Sequence, residues 1–225
     1  RNVRRALLFP LPAALAALLL TAALGGRSWG VLATGALAGY AIWVNCDQGL
    51  RLSRRRREDE PWTEAVGEAV RRGARRYGAY LAHLGVIVTF VAIAVSSSYQ
   101  VAHEATMRPG ESMAIAGYKL TYEKVDARQE PHRVSERALM RIERNGKDAG
   151  TLEPALNRYD SRMEPIGTPA VRTALGHDLY LSLMNVGTDG TIGMRAIVTP
   201  AVVWIWIGVF IIVFGTAICL LPAGL

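Results

Sequence analysis

Residues 77–98 read YGAYLAHLGVIVTFVAIAVSSS, a largely apolar run that carries one imidazole, His83. About 20 such residues cross a hydrocarbon core of about 30 Å, so this run suits one passage through a bilayer. Stretches 6–26, 31–50 and 200–221 have the same character. Beyond Ser98 the composition changes, and residues 99–199 alternate short apolar runs with charges, glycines and prolines. The sequence therefore predicts an α-helical membrane protein of about four transmembrane helices with an inserted external domain, a small β-rich barrel or sandwich. Two helices are expected within 1–50, a basic loop and amphipathic helix over 51–76, and a helix carrying His83 over 77–98. The β domain is expected over 99–199 and a last helix within 200–225.

The formal charge of +7 alone would admit a nucleic-acid partner. Its distribution excludes one. The β region holds 13 Lys/Arg and 13 Asp/Glu, whereas residues 51–76 hold nine Arg against five acids. Arginines in short loops beside apolar spans mark the cytoplasmic side. That orientation places 99–199 outside the cell membrane and the C-terminus inside. Arg54, Arg55, Arg56 and Arg57 begin the loop, and Arg71, Arg72, Arg75 and Arg76 form a cationic helix face suited to membrane lipid. The first span has a leader-like basic start, yet it is long for a leader and a second span follows at once, so it reads as a membrane helix. A start at Arg1 reads as part of something longer.

Cys46 and Cys219 fall at the expected cytoplasmic ends of spans, and the external region has no cysteine, so no disulfide framework is expected there. Gly35 and Gly39, four apart, permit close helix contact, and Asn45 and Asp47 close the second span where water is within reach. In the β region, Tyr118, Leu120 and Tyr122 alternate with Lys119, Thr121 and Glu123 over 118–125. Strands 134–144 and 149–156 flank Asn145-Gly146, a hairpin signal. Strands 178–186 and 191–198 flank Gly187-Thr188-Asp189-Gly190, and 157–169 reads as a loop. His103, His132 and His177 are too scattered for a metal site and read as surface or turn histidines.

His83 carries the chemistry. An ionisable group inside a membrane helix is costly unless it is paired, which makes it a functional candidate. A neutral imidazole has a lone pair for haem iron, and its second nitrogen can donate to a carbonyl. Small Ala79, Ala82 and Gly85 give a flat ring clearance, and Tyr80, Ile87 and Phe90 are placed to line a pocket. Read from the residues alone, an interhelical hydrogen bond from His83 to a carbonyl or a threonine is favoured over a haem ligand.

Four stretches in this order, YGAYLAHLGV (77–86), MRPGES (107–112), DLYLSL (178–183) and PAVVWIWIG (200–208), resemble the C-terminal part of the CcmF family. These are cytochrome c-type biogenesis haem lyases. The resemblance implies covalent attachment of haem, as substrate, to the CxxCH motif of apocytochrome c. It also implies a resident haem b held between two transmembrane histidines, with His83 as one axial ligand and metal-binding residue for its iron. Implied partners are the upstream part of the haem lyase on the same precursor or a separate subunit, apocytochrome c, a haem chaperone and other cytochrome c maturation components, and quinol. The implied location is the bacterial inner membrane, with the β domain in the periplasm. The family's Trp-rich external motif, its external histidines and its other membrane histidine have no counterpart here, so this chain alone is expected to be inactive. Two further readings stand beside this one: a non-catalytic envelope scaffold and a quinol-linked cytochrome b module. Trp204 and Trp206 read as interfacial anchors.

Overall fold

The computed structural model describes residues 7–53, 62–161 and 163–220. The chain divides into a helical unit, from the segments before Tyr99 and after Pro200, and a β unit, Tyr99–Pro200.

Among the described residues four helices build the first unit: α1 (Leu11–Ala23), α2 (Trp29–Ser53), α3 (Trp62–Ser98) and α4 (Val202–Leu220). Three segments among the described residues, Trp29–Gln48, Gly73–Ser98 and Val202–Leu220, are long and apolar enough to cross a membrane. The expected first span yields a shorter helix of 13 residues, because Pro10 stands at its start and Pro12 lies in its first turn. Gly25, at φ 92°, ends α1, and Ser28 Oγ accepts the Val31 amide (3.2 Å) to open α2. The amphipathic segment and the His83 span, expected as separate pieces, form one helix of 37 residues that departs from helical geometry at Gly73 (φ −114°, ψ 19°). Arg54 to Arg57 lie outside the described residues, as do the side chains of Arg71 and Arg72.

Close approach of backbones holds the helices together. A Cβ on Gly85 would stand 2.6 Å from the carbonyl oxygen of Gly208, and one on Gly78 would stand 2.6 Å from that of Gly215. Spacing of seven on both helices repeats this contact down the antiparallel α3–α4 pair. Gly35 and Gly39 likewise meet Thr21 and Ala17 across α1–α2. Helix α2 is tied to α3 by Asn45 Nδ2, which donates to the Tyr80 carbonyl (2.8 Å). Asn45 therefore spends its amide on a neighbouring helix instead of on water.

The β unit is a sandwich. Strands β1 (Val101–Met107), β8 (Ala170–Arg172), β9 (His177–Val186) and β10 (Ile192–Pro200) form one sheet in the order β1-β10-β9-β8. The other contains β2 (Ser112–Ile115), β3 (Tyr118–Glu130), β4 (Arg133–Arg144), β6 (Ala155–Tyr159) and β7 (Ile166–Thr168) in that order, with β5 (Lys147–Leu152) also on β4. All strand pairs are antiparallel. The alternation read at Tyr118, Leu120 and Tyr122 points into the core, with exposures of 2%, 0% and 0%. Facing them from the other sheet are Leu179, Leu181, Met194 and Ala196, also enclosed. Asn145 and Gly146 take φ of 48° and 76°, the left-handed pair that a tight hairpin needs.

Two expectations need revision. The strand expected over 149–156 breaks into β5 and β6 at Pro154, whose carbonyl accepts the Ala138 amide (3.0 Å). The stretch 157–169, expected as a loop, holds the end of β6 and all of β7, because pairing with β4 and β6 orders segments that lack a period of their own.

Candidate functional site

Helix α3 has neighbours on two sides. The Tyr80 carbonyl meets α2, while Gly78, Ala82, Gly85 and Thr89 meet α4. Each residue advances about 100° around a helix, so Arg76, His83 and Phe90, seven apart, fall together on a third side. That side is open. Phe90 is 64% exposed, Val86 37% and Ile93 45%, and both Arg76 and His83 are exposed with them. Ala79, one turn before His83, is small and half-buried.

No hydrogen bond or ion pair reaches His83 from the described residues. The nearby Thr89 hydroxyl donates to the Gly85 carbonyl of its own helix (2.9 Å). An imidazole on an apolar, uncovered helix face, with small residues beside it, has the donor chemistry of one axial haem ligand. That chemistry fits one bond to a haem iron, and no other histidine of the chain lies in a described helix. Of the other expected pocket residues, Phe90 shares the open side, whereas Tyr80 and Ile87 are half-buried.

The remaining histidines separate. His103 is exposed, with Nδ1 3.3 Å from the Ala114 carbonyl, and His132 is exposed in the turn between β3 and β4. His177, read from sequence as a surface residue, is half-buried. Its Nε2 lies 2.9 Å from the Tyr118 hydroxyl, joining the first residue of β9 to the first residue of β3 in the opposite sheet. Loss of solvent lowers its pKa from the ordinary 6.5, the Arg144 charge lowers it further, and Asp178 opposes both. The inward parity of Tyr118 was the available sequence signal for this pair. Among the described residues no group of three His, Cys, Asp or Glu is placed to hold a metal ion. Both cysteines are free, and Cys219 Sγ donates to the Arg75 carbonyl (3.1 Å).

Apolar helices bearing an open imidazole, with a two-sheet sandwich inserted between the third and fourth, define a membrane protein with an extramembrane β domain. Residues 98–200 match the family described as CcmF C-terminal beta-sandwich. The cytochrome c-type biogenesis protein CcmF of Pseudomonas aeruginosa is 27% identical over 198 residues, 88% of this chain and 29% of the relative. That of Escherichia coli K12 is 30% identical over 144 residues, 64% of this chain and 22% of the relative. A solved structure titled cytochrome c heme lyase CcmF superposes with a TM-score of 0.76 at 23% identity, covering 99% of this chain and 35% of that one. Residues 98–200 thus carry a CcmF C-terminal beta-sandwich, and over most of its length the chain is similar to CcmF proteins. It spans less than a third of the length of the curated relatives it matches.

Proposed function

We propose that this chain is the C-terminal part of a membrane haem lyase, which joins haem to the CxxCH cysteines of apocytochrome c, and that His83 is one axial ligand of a resident b-type haem. One observation carries the reading: an imidazole with no partner among the described residues stands on the uncovered apolar side of α3. Lipid alone disfavours that placement. Axial binding uses the lone pair of one ring nitrogen and fixes the tautomer, leaving the other N–H for an acceptor. When bound, the b-type haem supplies one-electron chemistry, with quinol as the electron source, for a reaction that needs reduced thiols and ferrous substrate haem. The protein's own share is to present the imidazole on a helix whose position is fixed by Asn45 and by the glycine contacts of α3.

The arginine-rich cytoplasmic loop orients the β sandwich to the periplasm of the bacterial inner membrane and the C-terminus to the cytoplasm. The sandwich would then meet apocytochrome c, a haem chaperone or other maturation components. Because the chain corresponds to only 29% of a full-length relative, catalysis belongs to its assembly with the upstream part of the lyase. In that assembly, His83→Ala should remove most of the b-type absorption while membrane insertion persists. His83→Gly should regain the spectrum on adding imidazole. An unchanged absorption spectrum in both variants refutes the assignment.

A further inference from the structure

Arg76 lies seven residues before His83, two helical turns or about 10.5 Å along the axis, and within about 20° of the same direction. Its side chain is exposed, and no carboxylate among the described residues pairs with it. We infer that Arg76 binds a haem propionate, its guanidinium pairing with a carboxylate of the porphyrin that His83 ligates. The inference rests on the axial role of His83 proposed above.

The open side of α3 is polarised about the imidazole. Toward the N-terminus lie Ala79, which leaves room, and then the cation of Arg76. Toward the C-terminus lie Val86, Phe90 and Ile93, exposed and apolar. Haem has the same asymmetry, with two carboxylate arms on one edge and only methyl and vinyl groups on the opposite edge. If a haem held at His83 set its carboxylate edge along the helix, that edge would lie toward either Arg76 or Phe90. One orientation puts apolar groups against Phe90 and the carboxylates at Arg76. The reverse leaves anions in lipid against Phe90 and a guanidinium with no anion. Charge in a low-dielectric surrounding weighs heavily, so the first orientation prevails. A guanidinium also matches a carboxylate with two parallel hydrogen bonds, which an ammonium cannot reproduce.

Arg75 is an internal control. It stands about 100° away around the helix, in the stretch whose backbone carbonyl receives the Cys219 thiol from α4, and it is exposed without sharing the His83 row. An anion of other origin, a lipid phosphate, has the chemistry to satisfy either arginine.

The test uses the complete assembly, loaded with protohaem or with its dimethyl ester, and follows haem release to an apomyoglobin acceptor. Wild type should hold protohaem more tightly than the ester. Arg76→Ala should release protohaem roughly tenfold faster and the ester at the wild-type rate. Arg76→Lys should fall between, and Arg75→Ala should match wild type. Equal retention of protohaem by wild type and Arg76→Ala overturns the inference and leaves Arg76 to lipid phosphate. Faster loss of both haems overturns it too, since the effect is then on the fold. If His83→Ala leaves haem bound, the axial reading and this one fall together. If His83→Ala loses haem while Arg76→Ala does not, only the propionate contact is lost.

Discussion

In the β sandwich, Leu120, Tyr122, Met140, Ile142, Leu179 and Leu181 have no exposed surface. Its charges meet across strands at the rim, as in Arg141–Glu123 (2.6 Å) and Arg158–Glu136 (3.2 Å). In the helical unit, Leu24, Phe210 and Phe214 face outward at 79%, 72% and 63%, and the enclosed positions are instead glycines and small residues. Water drives apolar side chains inward, so the sandwich keeps its large residues at the centre. Lipid exerts no such drive, and helices meet there through small residues that let backbones touch. By the same reasoning an exposed phenylalanine is ordinary in the helical unit and an exposed imidazole is not. The two regions obey different solvents, and His83 is conspicuous only under the rules of the second.

Damage to the sandwich core should break that unit alone. Tyr122→Ala empties an enclosed ring site and removes the hydroxyl that donates to the Gly190 carbonyl (3.0 Å). A loss of about 3–5 kcal/mol is expected, read as a lower midpoint for the β signal when the detergent-solubilised chain is heated. The helical signal should melt where it did before. A joint shift of both transitions would break the distinction between the two units.

The glycine contacts offer a smaller and more discriminating case. Gly85→Ala places a methyl against backbone atoms of α4 and should cost the helical unit about 1–3 kcal/mol through forced separation. Gly30→Ala, where nothing lies within 4 Å of the added carbon, should be neutral or slightly stabilising, because alanine favours helix. Opposite signs for one chemical change, measured as helix melting midpoints, sharpen the claim that backbone contact and not side-chain volume holds α3 to α4. Equal effects would remove it.

Legibility in the sequence followed the strength of local constraint. Tyr118, Leu120 and Tyr122 were readable because a strand with one wet face imposes a period of two, and Asn145-Gly146 because few residues accept two positive φ values in succession. The hairpin turn at Ala116 (φ 45°) and Gly117 (φ 80°) carries no such signature at Ala116. Strand β1 was not legible because its apolar parity, Val101, Ala105 and Met107, is interrupted by His103. The short β7 exists only through its partner. Pro10 and Pro12 were visible in the first span, but apolar composition concealed how they shorten its helix. For the site, the placement of His83 within a helix was legible. Its open side was not, since that depends on where Asn45 of α2 and Gly208 of α4 approach α3. The alignment of Arg76 with His83 follows from spacing, yet it acquires meaning only once that side is known to be free.

The weakest expected effect concerns the one histidine the sandwich partly encloses. Burial and the Arg144 charge lower the His177 pKa, so the folded chain favours the neutral ring more than the unfolded chain does. In the interval below the ordinary value of 6.5, the unfolded state binds more protons. The contribution of His177 is therefore fully present above that value and declines as pH falls through it and below. The Tyr118 contact does not set this sign, because a protonated ring can still donate to the hydroxyl oxygen. Withdrawal from water and the facing arginine set it. Melting of the β signal between pH 7.5 and pH 5 should show a descending midpoint in wild type, with a shallower descent in His177→Gln. Arg144→Gln should lie between them, since it removes the smaller of the two causes. A descent unaltered by either change would remove His177 as its cause, and Glu130 would not replace it, because a pKa lowered from 4.5 by the hydrogen bond to Arg133 costs stability only below that value.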